Sequence, residues 1–181
     1  MNELTFITGN QNKADFLAKW LGRPVKHHKL DLDELQSLDL HEVVAHKARQ
    51  AYDILKRPVL VEDASLTFTA MGRLPGTFIK WFIEELGHDG LLRLALSLPS
   101  QEAHGKVCYG YCDGDTVKIF EGTMRGRISP EARGSGGFGF DPIFINDGYT
   151  ITRAEMTEED YAKTSYRTAA IAKLKKHLQD L

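Results

Sequence analysis

Leu4-Thr5-Phe6-Ile7-Thr8-Gly9-Asn10-Gln11-Asn12-Lys13 sets the class of fold. A short β-branched and aromatic run reads as a buried strand, and Gly9-Asn10 breaks it. Ala14, Leu17 and Leu21 then recur at helical spacing, with Asn10 placed to cap the helix and Gly22 to stop it. The turn carries chemistry of its own. Backbone N–H groups at a helix N-terminus favour an anion, Lys13 adds positive charge, and Thr8 and Asn10 add neutral donors around Gly9. The plainer alternative is an ordinary capped helix, and the phosphate-loop spacing GxxxxGK[ST] is absent.

Outward from this start, 25–32 reads as a second strand that ends in the acidic Asp31-Leu32-Asp33-Glu34. Asp39 with Glu42 resembles a capping box for a helix over 40–55, with the apolar stripe Leu40, Val44, Ala48, Ala51 and Leu55. Val59-Leu60-Val61 is a short apolar run that closes on Glu62-Asp63, putting two carboxylates at a strand's C-terminal end. Ligands bind at that edge in open α/β sheets. A loop over 72–77 leads to helical patterns over 79–86 and 89–98. Strands over 105–113 and 116–128 meet at Gly114-Asp115, a hairpin signal. The chain closes with a helix through Ala169, Ala170, Leu174 and Leu178. Helices alternating with strands, then a late hairpin, predict an α/β fold with a mixed sheet.

At 181 residues the chain suits one globular domain over 1–181, or two lobes sharing a core. A hydrophobic share of 42% and a charged share of 27% are those of a soluble enzyme. The net charge of −2 argues against a general nucleic-acid binder. No apolar run approaches the roughly 18 residues needed to span a membrane. Met1-Asn2-Glu3-Leu4 leads straight into the first strand without the pattern of a signal peptide, so the expected compartment is the cytosol. Cys108 and Cys112 are the two cysteines. Four residues along a strand span about 13 Å, too far for a disulfide, so both read as small packing residues.

Four groups could carry chemistry. In Gly134-Ser135-Gly136-Gly137-Phe138-Gly139-Phe140-Asp141-Pro142, two aromatics flank a glycine and a carboxylate precedes a proline, a set that fits a flat, polar-edged ligand such as a nucleobase. Lys47, at the edge of an apolar helical stripe, is either a snorkelling side chain or a second phosphate contact. Glu34, Glu62 and Asp63 are candidates for magnesium, or for a carboxylate that takes a proton from an attacking water. Adjacent residues on a strand face opposite sides, so Glu62 and Asp63 can hold different tasks. Tyr161, Ser165, Tyr166 and Arg167 precede or open the last helix, where Ser165 reads as an N-cap and Arg167 suits a phosphate or a base carbonyl. His27-His28 lacks a spaced third ligand and reads as structural or exposed.

Taken in order, these pieces resemble the inosine triphosphate pyrophosphatase family. The matching segments are Thr8-Gly9-Asn10 with Lys13, Asp31-Leu32-Asp33-Glu34, Val61-Glu62-Asp63, and Gly72-Arg73-Leu74-Pro75-Gly76 before Lys80-Trp81-Phe82. They continue with Gly137-Phe138-Gly139-Phe140-Asp141-Pro142, Ala154-Glu155-Met156 and Ser165-Tyr166-Arg167. The resemblance implies an elongated mixed sheet with flanking helices, two lobes around a nucleotide-binding cleft, and a homodimer. It implies hydrolysis of ITP, dITP or XTP, the deaminated purine nucleoside triphosphates, to monophosphate and pyrophosphate with Mg2+.

By position, Thr8, Gly9, Asn10, Lys13 and Lys47 would bind the triphosphate, Glu34 the metal, and Asp63 would act near it as base, with Glu62 a further metal candidate. Lys80 would touch substrate. Phe138, Gly139, Phe140 and Asp141 would form the base pocket, closed by Ser165, Tyr166 and Arg167. Two positions depart from the family's pattern. Tyr166 stands where Ser-His-Arg is usual, and Tyr161 stands where a lysine is common. Both belong to base recognition, so altered or broad base specificity is one alternative. A nucleotide-binding protein with little catalysis is another.

Overall fold

In the computed structural model, which describes residues 4–180, the opening stretch folds as its residue types demand. β1 (Thr5–Ile7) is buried along its length, and α1 (Gln11–Leu21) follows the Thr8-Gly9-Asn10 turn. Asn10 caps α1 by accepting from the Lys13 N–H, Gly22 ends it, and Ala14, Leu17 and Leu21 form its buried stripe. Met1–Glu3, read above as the lead-in, lie outside the described residues.

The remaining elements are β2 (Lys26–His28), α2 (Leu40–Leu55), β3 (Val59–Phe68), β4 (Pro75–Gly76), α3 (Ile79–Leu96), β5 (Glu102–Cys112), β6 (Val117–Ile128), β7 (Phe144–Asn146), α4 (Glu158–Thr164) and α5 (Tyr166–Gln179). One seven-stranded sheet has the order β2-β1-β3-β5-β6-β7, with β4 paired to β3. β1 is parallel to β2 and β3, whereas β4 is antiparallel to β3 and β7 to β6. The sheet is therefore mixed, as the alternation of patterns predicts. The chain divides into two compact units, Met1–Ala64 with Val107–Gly122 and Arg167–Leu181, and Ser65–Lys106 with Thr123–Tyr166. β3, β5 and β6 each begin in one unit and end in the other. No helix among the described residues is long and apolar enough to cross a membrane.

In the first unit, alternation along β3 sorts side chains onto two faces. Val59 and Val61 join Ile7, Cys108 and Cys112 against Leu40, Val44, Ala48 and Ala51 of α2. Leu60 and Glu62 take the other face, where the Tyr109 hydroxyl donates to Glu62 at 2.7 Å. Both cysteines are buried and unoxidised, as packing residues should be.

Several local readings need correction. Glu62 and Asp63 are not at a strand end, because Ser65–Phe68 is itself buried and β3 runs on through it. The strand over 25–32 shrinks to Lys26–His28, an exposed edge strand with no second face to bury. Asp39 caps α2 through the His41 N–H, but Glu42 accepts from Ser37 Oγ instead of completing a capping box. Ser165 closes α4 and also stands, in extended backbone, directly before Tyr166, the first residue of α5, which is the N-cap position read from the sequence. The two helical patterns over 79–86 and 89–98 likewise hold: Gly87, at φ +64° and ψ 179°, breaks α3 between them.

Gly110 on β5 lies close against α2, since a Cβ there would meet Val44 Cγ1 at 2.6 Å and Val61 Cγ2 at 3.2 Å. Gly110→Ala is expected to destabilise the fold by about 1–3 kcal/mol through overpacking, read from the urea midpoint at unchanged slope.

Candidate active site

Two lysine–carboxylate pairs converge on β3. Lys13, in the first turn of α1, reaches Glu62 at 3.2 Å. Lys47, in the middle of α2, reaches Asp63 at 3.0 Å. Consecutive residues on one strand thus meet lysines from two different helices, one on each face.

The two pairs differ in environment. The Glu62 side chain is 2% exposed, whereas that of Asp63 is 32% exposed. Glu62 Oε1 also receives Arg167 at 3.2 Å, and Oε2 receives the Tyr109 hydroxyl. Burial alone pushes the Glu62 carboxyl up. The charges of Arg167 and Lys13, with hydrogen bonds from Tyr109 and Arg167, overcome it and hold the group at about 2. Glu62, one of the three metal candidates, is placed instead as a buried counter-ion, enclosed by Lys13, Arg167 and Tyr109 and closed to solvent. Asp63 keeps partial access to solvent. Its Oδ1 accepts from the Ala64 N–H at 2.9 Å and its Oδ2 from Lys47, so its side chain is aimed without being enclosed.

The turn before α1 is locally ordered. Thr8 Oγ1 accepts from the Asn10 N–H at 3.1 Å, and the Thr8 N–H donates to the His28 carbonyl. Gly9 and Asn10 are exposed. Glu34 lies exposed between β2 and α2. Among the described residues, Glu34, Glu62 and Asp63 do not gather their oxygens into one preformed metal cluster.

In the second unit the glycine-rich segment wraps around Asp141. This carboxylate is fully buried, and its Oδ1 pairs with Arg153 Nε at 2.9 Å. Its Oδ2 accepts from the Phe138 N–H at 2.6 Å and from the Tyr161 hydroxyl at 2.8 Å. The carboxylate folds back so closely that a Cβ on Gly137, where φ is +79°, would strike Asp141 Oδ2. Only glycine fits there. Asp141, read as an acceptor for a base edge, is therefore the internal anchor of the loop.

Phe140 is also buried, with rings of Phe144 and Tyr166 at 6.2 Å and 6.4 Å. Phe138 is half-buried and Gly139 exposed. Ser165 and Tyr166 are buried at the α4–α5 junction. Lys80 is exposed on α3, its ammonium 4.8 Å from the Trp81 ring centroid.

Sequence reasoning missed three residues. Arg153 stacks on the Tyr161 ring at 4.2 Å besides holding Asp141. It immediately precedes the Ala154-Glu155-Met156 motif, its one visible clue. Tyr109 sits in an apolar strand with nothing nearby in sequence to mark its hydroxyl. His88 follows the α3 break, and its Nε2 meets the Gly139 carbonyl at 2.7 Å.

The chain has known relatives. The chain belongs to the Ham1 family, whose profile matches residues 4–177. It is 42% identical over 180 residues to inosine triphosphate pyrophosphatase 2 of Trypanosoma cruzi, covering 97% of this chain and 92% of that protein. It is 39% identical to the inosine triphosphate pyrophosphatase of Schizosaccharomyces pombe, covering 99% and 96%. Among solved structures, a HAM1 protein from Coxiella burnetii superposes with a TM-score of 0.87 at 24% identity, covering all of both chains. The Staphylococcus aureus Ham1 protein gives a TM-score of 0.79 at 24% identity, with 99% of each chain covered. The resemblance drawn from the motifs holds over nearly the whole chain.

Glu62→Gln leaves Arg167 buried without its charge partner and is expected to cost roughly 3–5 kcal/mol at neutral pH. The folded-state value of about 2 lies below the ordinary 4.5. The contribution of Glu62 is thus complete above the ordinary value and is lost as pH falls toward the folded one. Urea unfolding of both proteins across that window should show the stability gap narrowing with acid.

Proposed function

We propose that the chain hydrolyses purine nucleoside triphosphates bearing deaminated bases, such as ITP, dITP and XTP, to the monophosphate and pyrophosphate. The observation that carries this reading is the partly exposed Asp63, held in place by Lys47 and the Ala64 N–H and next in the chain to Glu62, which Lys13 of α1 reaches. The names borne by the Trypanosoma and Schizosaccharomyces relatives support the same substrate class.

In this scheme a water oxygen bonds to the α-phosphorus, the α–β phosphoanhydride bond breaks, and pyrophosphate leaves. Asp63 accepts the proton of the attacking water. Lys13, Lys47 and the backbone N–H groups after Thr8 meet the phosphate oxygens and offset charge that builds on them. The lysines are already paired with carboxylates, so substrate phosphates compete for cations that the fold has positioned.

A hard divalent cation fits the donor set of Glu34 and Asp63, because both offer carboxylate oxygens with access to solvent. Magnesium needs only one or two such groups besides water and phosphate. Held there, it would supply charge neutralisation at the phosphates. Lys80, Phe138 and Gly139 would contact the nucleotide, with Phe140, Ser165, Tyr166 and Arg167 supporting the pocket from within. A single catalytic domain over 1–181, working as a cytosolic homodimer, completes this reading.

A second reading rests on Tyr161, whose hydroxyl proton is spent on Asp141. Where the family commonly has a cationic lysine, this pocket offers a neutral group already engaged. Charge-assisted hydrogen bonds are roughly twice as strong as neutral ones, so base selection would relax.

Pyrophosphate release from a panel of purine and pyrimidine triphosphates, with magnesium, tests both. Strong preference for ITP and XTP supports the first reading, near-equal rates across bases support the second, and no release from any overturns hydrolysis. Asp63→Asn should lower kcat by roughly 100-fold or more while nucleotide affinity stays within a few fold. Unchanged turnover would remove Asp63 from the role of base.

A further inference from the structure

Away from the lysine–carboxylate pairs, a second set of ligating side chains meets in the first unit. His41 comes from the first turn of α2, Cys108 from β5 and Glu121 from β6, and their ligand atoms all lie within 4.8 Å of one another. We propose that His41, Cys108 and Glu121 form a binding site for a borderline-soft divalent cation of the zinc type, distinct from the oxygen-only set of Glu34 and Asp63.

Ligand chemistry makes the distinction. A thiolate and an imidazole suit zinc and disfavour magnesium, which prefers carboxylate and water. The distances are close to what zinc requires. His41 Nε2 lies 2.6 Å from Glu121 Oε2, and Cys108 Sγ lies 4.0 Å from the same oxygen. Tetrahedral zinc with its usual bond lengths sets N···O at roughly 3.3 Å and S···O at roughly 3.5 Å. The N···O edge must open and the S···O edge close, each by less than about 1 Å, and the S···N edge starts at no more than 4.8 Å.

The side chains that must move are the more exposed ones, with His41 51% exposed and Glu121 30% exposed. Cys108, fixed in the core behind them, is the anchored ligand. The same exposure gives the ion a way in. Lys173 Nζ donates to the backbone carbonyl of Glu121 at 2.6 Å. It steadies β6 at this point, while its positive charge holds affinity below that of an all-thiolate site.

Proton balance is simple. As the sulfur–metal bond forms, the Cys108 thiol proton leaves to solvent. The Nε2 proton that His41 shares with Glu121 also leaves to solvent, the neutral ring keeps its proton on Nδ1, and the contact gives way to two metal bonds. Three protein ligands leave the fourth position to water. The bound ion would tie the start of α2, the helix that carries Lys47, to β5 and β6.

The test uses the full chain, stripped with a chelator and titrated with cobalt(II) as a coloured stand-in. One equivalent should bring a thiolate-to-cobalt charge-transfer band in the near ultraviolet and tetrahedral bands in the visible. Zinc should displace the cobalt, and excess magnesium should not. Cys108→Ser should erase the charge-transfer band, while His41→Ala and Glu121→Gln, both at the surface end, should each weaken binding by about 10-fold or more. If Cys108→Ser fails to fold, the two surface variants decide alone. No charge-transfer band from the unaltered protein, or one unchanged in the surface variants or in folded Cys108→Ser, overturns the site. None of these readouts depends on nucleotide hydrolysis.

Discussion

A carboxylate sealed in the middle of a sheet constrains everything around it in the first unit. Removing Glu62 from water costs several kcal/mol unless cations and donors replace the lost hydration. Lys13 from α1, Arg167 from α5 and Tyr109 from β5 supply that replacement. Three elements far apart in the chain are thereby brought to one point. Because Lys13 lies in the first turn of α1, its bond to Glu62 also fixes where the Thr8-Gly9-Asn10 turn presents its N–H groups. Arg167, at the other end of the sequence, pairs with the same anion.

The second unit solves a similar problem with similar means. Asp141 is fully buried, paired with Arg153, and satisfied on its other oxygen by Phe138 and Tyr161. An interior ion pair without further partners is a poor source of stability, but one whose remaining lone pairs are filled specifies geometry. Here the geometry specified is that of a glycine-rich loop. The carboxylate in each unit holds a flexible backbone segment where ligand contact is proposed.

Much of this was legible in the residues. The opening strand, turn and helix, the apolar stripe of α2, the late hairpin and the mixed sheet follow from periodicity and from Gly and Asn punctuation. The candidate residues were legible as types, but their allegiance was not. Nothing near Glu62 in sequence distinguishes it from Asp63, because the partners that decide the matter lie at 13, 109 and 167. Asp141 looked like a ligand acceptor since Arg153 and Tyr161, which consume it, are set by the fold of a loop. The end of β3 was misplaced for a related reason. A charged pair after an apolar run looks like a terminus, and only long-range pairing shows that the strand goes on. His41, Cys108 and Glu121 likewise have no common motif and meet only through the sheet.

Placing Glu62 and Asp63 side by side has a consequence for how this chain can vary over time. A pleated strand is strictly two-phased, so shifting β3 by one residue would send every side chain to the opposite face. The sealed counter-ion would then stand in solvent, and the solvent-facing carboxylate would be driven inward toward Arg167 and Tyr109. Point substitutions along β3 can be absorbed one at a time, but a single inserted or deleted residue exchanges the two roles at once. Lineages of this fold can therefore tolerate drift in the composition of the strand while its residue count between Val59 and Asp63 stays frozen.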